Sequence, residues 1–170
     1  MSTSKHLGLL ALFGAVALGC DLRQAPTPLD GPSLDGGKYI LTSEPADPQT
    51  PTEVKNSITE GTSIAVAGRI DAGDIEPFQD GVAAFMISQL PDASHGGADH
   101  ADDCPFCARK LRNAPKAVVR LLDENGELIQ ADARQLLGLS KGDVVVVQGL
   151  ATYMESVNTV QIDAEGIFIR

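Results

Sequence analysis

Tryptophan is absent from this 170-residue chain, and aromatic residues make up only 4% of it. Val, Ile, Leu and Ala must therefore fill whatever core it forms. Basic residues are also short, 13 Lys and Arg against 23 Asp and Glu, for a formal charge of -10. Nucleic-acid binders need a basic footprint to displace counterions from phosphate, so this balance excludes that class of partner. No Gly-rich phosphate loop or Walker pattern is present. Ser94 beside His95 makes no triad by adjacency, since triads are set by spatial geometry, and Asp102 and Asp103 are neighbours whose side chains point differently. The βαβ alternation of thioredoxin-like enzymes is missing too, and an enzyme is the less favoured expectation.

Histidine and cysteine are scarce, three of each. His6 and Cys20 lie in an N-terminal segment with the marks of a signal peptide. Lys5 supplies its basic start, and Leu7 to Leu18 form an apolar run of about 12 residues, short of the roughly 20 that a spanning helix needs. Removing this leader takes away Lys5 and brings the mature charge to about -11. Every other thiol and imidazole falls between His95 and Cys107, in the run His-Gly-Gly-Ala-Asp-His-Ala-Asp-Asp-Cys-Pro-Phe-Cys.

From Asp21 to Pro51 six of the ten prolines (Pro26, Pro28, Pro32, Pro45, Pro48, Pro51) accompany Gly31, Gly36 and Gly37, a composition suited to an extended spacer. Lys38-Tyr39-Ile40-Leu41 interrupts it with a β-prone patch able to dock as an edge strand. Thr52 is placed to cap a short helix through Ile58. The folded domain is expected over residues 61–170. Alternation predicts strands over Ser63–Ile70, Ala83–Gln89 and Lys116–Asp123, the last followed by an Asn125-Gly126 hairpin turn to Leu128-Ile129. Gly68 suggests a bulge or bend in the first of them. Asp132 as N-cap and Gly138 as a stop bracket a short helix, and strands over Asp143–Thr152 and Val157–Arg170 complete the set. A bulge at Glu165-Gly166 would return Ile167 and Ile169 to the face of Val160, Ile162 and Ala164.

Two resemblances follow from these residues. Ala17-Leu18-Gly19-Cys20 resembles the lipobox of bacterial lipoproteins, which implies cleavage after residue 19, acylation of Cys20 and attachment to a membrane of the bacterial cell envelope, on its extracytoplasmic side. Leu is the more usual residue at the place of Ala17. Three strands, a helix and two strands resemble the order of a small all-β OB-fold barrel, with a small β-sandwich as the other architecture open. Leader, spacer, strands and the Asp102-Asp103-Cys104-Pro105-Phe106-Cys107 block together are similar to uncharacterised bacterial lipoproteins with an OB-fold-like domain. The layout this implies is a leader over 1–19, a lipidated Pro-rich linker over 20–60 and a barrel over 61–170, with no activity attached.

A loop over 91–115 is far longer than a hairpin connection of about 2–5 residues, and loops of that length are usually either functional or disordered. Three chemistries are open to it. His95, His100, Cys104 and Cys107 match a four-coordinate zinc site of two imidazoles and two thiolates, and copper(I) suits the thiolates equally, with Asp99, Asp102 and Asp103 available to orient the imidazoles. In an exported protein Cys104 and Cys107 can instead close a structural disulfide, pinning the loop of an interaction module that serves a protein partner in the envelope. Third, Pro105 can open a helix with Cys104 at its N-cap, where amides and the helix dipole favour a reactive thiolate. Arg109, Lys110, Arg112, Lys116 and Arg120 gather basic charge just downstream. They balance the acidic segment, present a solvated face, or meet a small anion.

Overall fold

The computed structural model describes residues 35–59, 61–91 and 104–170. Five strands, β1 (Thr62–Ile70), β2 (Ala84–Ser88), β3 (Lys116–Arg120), β4 (Val144–Met154) and β5 (Thr159–Ile169), pair in the order β1-β2-β3-β5-β4, and β4 returns to β1 to close the sheet. All pairs are antiparallel except β3 with β5. Among the described residues the α-helices are α1 (Pro51–Ser57), in the stretch where a short helix through Ile58 was expected, α2 (Pro105–Asn113), opened by Pro105, and α3 (Ala133–Leu137), the helix expected within the barrel. Single 3-10 turns stand at Gly36–Tyr39 and Glu155–Val157.

The interior is aliphatic, as the shortage of aromatics demands. Val66, Ile70, Ile87, Val119, Leu121, Val145, Val147, Ile162 and Ile167 are sealed from solvent, with Phe85 among them as the largest side chain. Such burial contributes about 1.5–3 kcal/mol per residue before chain entropy is set against it. Among the described residues no polar or charged side chain is buried. The ladder between β4 and β5 skips Glu165, pairing Gln148 with Gly166 and Gly149 with Ala164. The extra residue carries Ile167 back inside, while Ile169, the last residue of the strand, remains 37% exposed. Gly68 makes no bulge, since its strand runs in unbroken register against β4. It is needed for a close approach instead: a Cβ there would lie 2.9 Å from both the Ile87 side chain and the Ser88 carbonyl.

Short-range signals account for the turns. The Asp123 carboxylate accepts the amides of Asn125 and Glu127, and Gly126 takes φ +80°. Asp132 caps α3 through the Arg134 amide, and Gly138 ends it in the left-handed region at φ +70°. Arg134 then ties this helix to the β1–β2 connection, bonding Asp132 and Asp80 and lying over the Phe78 ring. The cap of α1 is Thr50 rather than Thr52. Its hydroxyl accepts the Glu53 amide while Glu53 accepts the Thr50 amide, and Pro51 fills the first helical position.

The larger departure lies upstream of the barrel, in a stretch with the composition of a spacer. β1 meets β2 only at Arg69 and Ile70, which leaves its edge over 62–68 open. Gln49 fills that gap, donating to the Ala65 carbonyl and accepting from the Ala67 amide. β5 parts from β3 after Asp163, and Ile40 pairs with Ile167 beyond that point, the Leu41 amide donating to the Ile167 carbonyl at 2.8 Å. Both open seams of the barrel are thus covered by the residues before it. Tyr39 is buried and donates to the Leu122 carbonyl at 3.1 Å, and Val54 of α1 is 1% exposed. The packed body therefore runs from Leu34 to Arg170, 27 residues longer upstream than a barrel starting at 61.

Candidate dithiol site

Cys104 occupies the N-cap of α2 and Pro105 its first position, a pairing set by sequence. Proline has the helical φ built in and lacks only an amide that would be unpaired there anyway. The cap places the Cys104 sulfur over the first turn, where it accepts the Cys107 amide at 3.3 Å. One turn on, the Cys107 thiol donates to the same sulfur, and the two Sγ atoms stand 2.6 Å apart. Both cysteines are free and half-exposed. Phe106, between them, is 81% exposed. No residue of α2 is buried, so the helix adds no side chain to the barrel's core.

These bonds divide the roles of the two thiols. The Cys107 thiol and amide, joined by the Phe106 amide, stabilise negative charge on the Cys104 sulfur and lower its pKa, against a smaller opposing effect of burial. For Cys107 the same contact works the other way: its proton is held by Cys104, and burial and the neighbouring charge push its pKa up further. Cys104 is the sulfur better prepared to be a thiolate.

Cys20, His95, Asp99, His100, Asp102 and Asp103 lie outside the described residues. Of the expected ligand set, Cys104 and Cys107 come together. Among the described residues no group of three or more His, Cys, Asp or Glu side chains converges as a metal site, and no helix is long and apolar enough to cross a membrane. Within the basic cluster, Arg120 pairs with Asp163 across β3 and β5 at 2.6 Å, and Lys116 donates to Ser88 at 3.0 Å.

Ser88 is a junction that the sequence did not signal, because its partners lie 17 and 28 positions away. Its hydroxyl donates to the Asp71 carbonyl at 2.8 Å and receives the Lys116 ammonium. Since the hydroxyl proton faces Asp71 and the lysine is the donor, this geometry does not prepare the serine as a nucleophile. It holds the end of β2 to the start of β3, where the long loop departs and α2 returns. No protein-family model matches the chain, and no curated protein matches it. The reading of the site rests on its geometry.

Proposed function

We propose that the protein is a lipid-anchored, extracytoplasmic component of the bacterial cell envelope in which an OB-fold barrel displays a transition-metal site. The observation that carries the metal reading is the convergence of two free sulfurs on the first turn of α2. Soft thiolates select zinc or copper(I), and His95 and His100 complete a set of four with Cys104 and Cys107. Asp99, Asp102 and Asp103 are available in the sequence to orient the imidazoles. The closed order β1-β2-β3-β5-β4, with α3 between β3 and β4, supports the OB-fold reading.

The donor chemistry fits such an ion. The bond that Cys107 donates to Cys104 is lost when both become thiolates, and their repulsion then parts them. Two sulfurs sharing one zinc at Zn–S distances of about 2.3 Å lie roughly 3.8 Å apart. The opening from 2.6 Å is a side-chain rotation that a helix with no buried residues permits. The role of the protein is then to hold or deliver metal at the membrane through Cys20.

Two experiments test this. Reduced protein titrated with zinc and with copper(I) is expected to bind one equivalent, and Cys104→Ser with Cys107→Ser to abolish it; binding that survives both substitutions defeats the ligand set. Cys20→Ser is expected to move the protein out of the membrane fraction, and identical fractionation of both forms as soluble protein defeats the anchor. The close approach of the sulfurs also favours a second reading, an interaction module pinned by a Cys104–Cys107 disulfide. Protein purified without an affinity tag would then carry no metal and no free thiol.

A further inference from the structure

The two sulfurs are closer than a shared ion requires, and this points to a reaction between them. We infer that the Cys104–Cys107 pair exchanges with small external disulfides and closes on itself, and that closure switches metal binding off. The inference rests on the metal reading for its consequence but not for its chemistry. Three features of the fold carry it. The sulfurs face each other within one helical turn, both are accessible, and α2 buries no residue, so its first turn can adjust without opening the barrel.

The reaction balances as two displacements. The Cys104 thiol, having released its proton to water, attacks one sulfur of a disulfide R–S–S–R. A Cys104–S–S–R bond forms, the R–S–S–R bond breaks, and the departing thiolate takes up a proton as RSH. Cys107 then releases its proton and attacks the Cys104 sulfur, expelling the second RS⁻, which is protonated in turn. Two electrons pass from the dithiol to the external disulfide, and two protons end on the two RSH molecules. The product has no thiolate at either position, and a metal ion loses both soft ligands at once.

The amide and thiol bonds converging on the Cys104 sulfur orient it at the helix end, with Cys107 behind it in the first turn. Cys104 is accordingly assigned the first attack and Cys107 the resolving one. This order makes the intermediate trappable.

The test uses the full chain carrying Cys20→Ser, so that the only thiols are Cys104 and Cys107. Reduced protein is equilibrated with oxidised glutathione, quenched by alkylation and weighed. The expected result is loss of both thiols with no glutathione retained, whereas Cys107→Ser retains one glutathione on Cys104. Zinc binding, read by competition with a chromophoric chelator, should weaken more than about 100-fold on oxidation, beyond what losing a supporting hydrogen bond costs, and return with reductant. Thiols that persist, or a mixed disulfide that stays on the Cys20→Ser protein, overturn the exchange. Oxidised protein that binds zinc as well as the reduced form overturns the switch. A reduced, two-thiol protein that binds neither zinc nor copper(I) overturns the metal reading, and the thiol count still decides the exchange on its own.

Discussion

Replacing Tyr39 asks whether the residues before the barrel belong to its fold. The side chain is 8% exposed in the main core cluster, and its hydroxyl donates to the Leu122 carbonyl. Truncating a buried aromatic costs about 3–5 kcal/mol, and the lower end is taken for a side chain that keeps 8% exposure. Tyr39→Phe removes only the hydroxyl and leaves a carbonyl short of one bond, a cost of about 1 kcal/mol. For a domain of this size those losses become melting-temperature drops of about 10 °C and about 3 °C. Gly36→Ala should act with Tyr39→Ala, because a Cβ there would lie 1.8 Å from the Leu136 carbonyl oxygen and must push the segment away. Thermal melts by circular dichroism, with exposed Ser43→Ala in the same segment as a control within about 0.5 kcal/mol, provide the assay. If Tyr39→Ala melts within 2 °C or so of the parent, the segment is a tether and its seam-closing role is wrong.

Other expectations follow from single contacts. Gly149→Ala would put a Cβ 2.2 Å from the Asp163 carbonyl oxygen across the bulge and should cost about 1–3 kcal/mol in urea melts, while an unchanged midpoint would show that β4 and β5 part there freely. The Asp132 carboxyl is held down to about 2, chiefly by its bond from Arg134. Its folded value lies below the unfolded value of about 3.9, so its stabilisation is complete above about pH 4 and is lost as pH falls towards 2. The melting gap between the parent and Asp132→Asn should be level above pH 4 and shrink below it; a gap independent of pH refutes the ion pair. Removing residues 92–112 and bridging with a short Gly-Ser linker should leave β-type circular dichroism and a cooperative melt, since α2 buries nothing, and loss of the fold would make the loop part of the core.

What could be read in advance divides along the range of the interactions. The Asn125-Gly126 turn, the Asp132 cap and the Gly138 stop are fixed within a few residues of themselves, and each stands where its local chemistry puts it. The bulge at Glu165 was legible because Ile167 falls out of phase with Ile162 and only an extra residue restores it. Ile169 was misplaced because the same phase argument says nothing about where a strand runs off the barrel's rim. Of the two seams, the one at Ile40 was signalled by the β-prone patch Lys38–Leu41, while the one at Gln49 was not: a lone bridge leaves no alternation to detect, and Pro45 and Pro48 beside it read as spacer. Gly68 was noticed for the right residue and the wrong cause, since nothing in its neighbourhood announces Ile87. For the site, the N-cap at Cys104 was local and legible. The sulfur contact follows from it, because a cap and the residue three positions on share the first turn. Ser88, Asp71 and Lys116 meet only through the barrel's register, and no sequence pattern carries that.

The distribution of polarity says where function can reside. A barrel whose described interior is wholly apolar, and whose upstream segment bridges β1 at Gln49 and β5 at Ile40, keeps titratable groups out of its described core. Reactive groups therefore lie on its surface or on what is attached to it. α2 meets that condition: it buries no residue, its two thiols are its reactive groups, and it enters β3 beside the Lys116–Ser88 contact that fixes where the long loop leaves and returns. A side chain can therefore change at the dithiol without a penalty in the core, and the core can be repacked without moving the sulfurs. That independence would let the proposed dithiol site open for a metal ion or close to a disulfide while the barrel stays as it is.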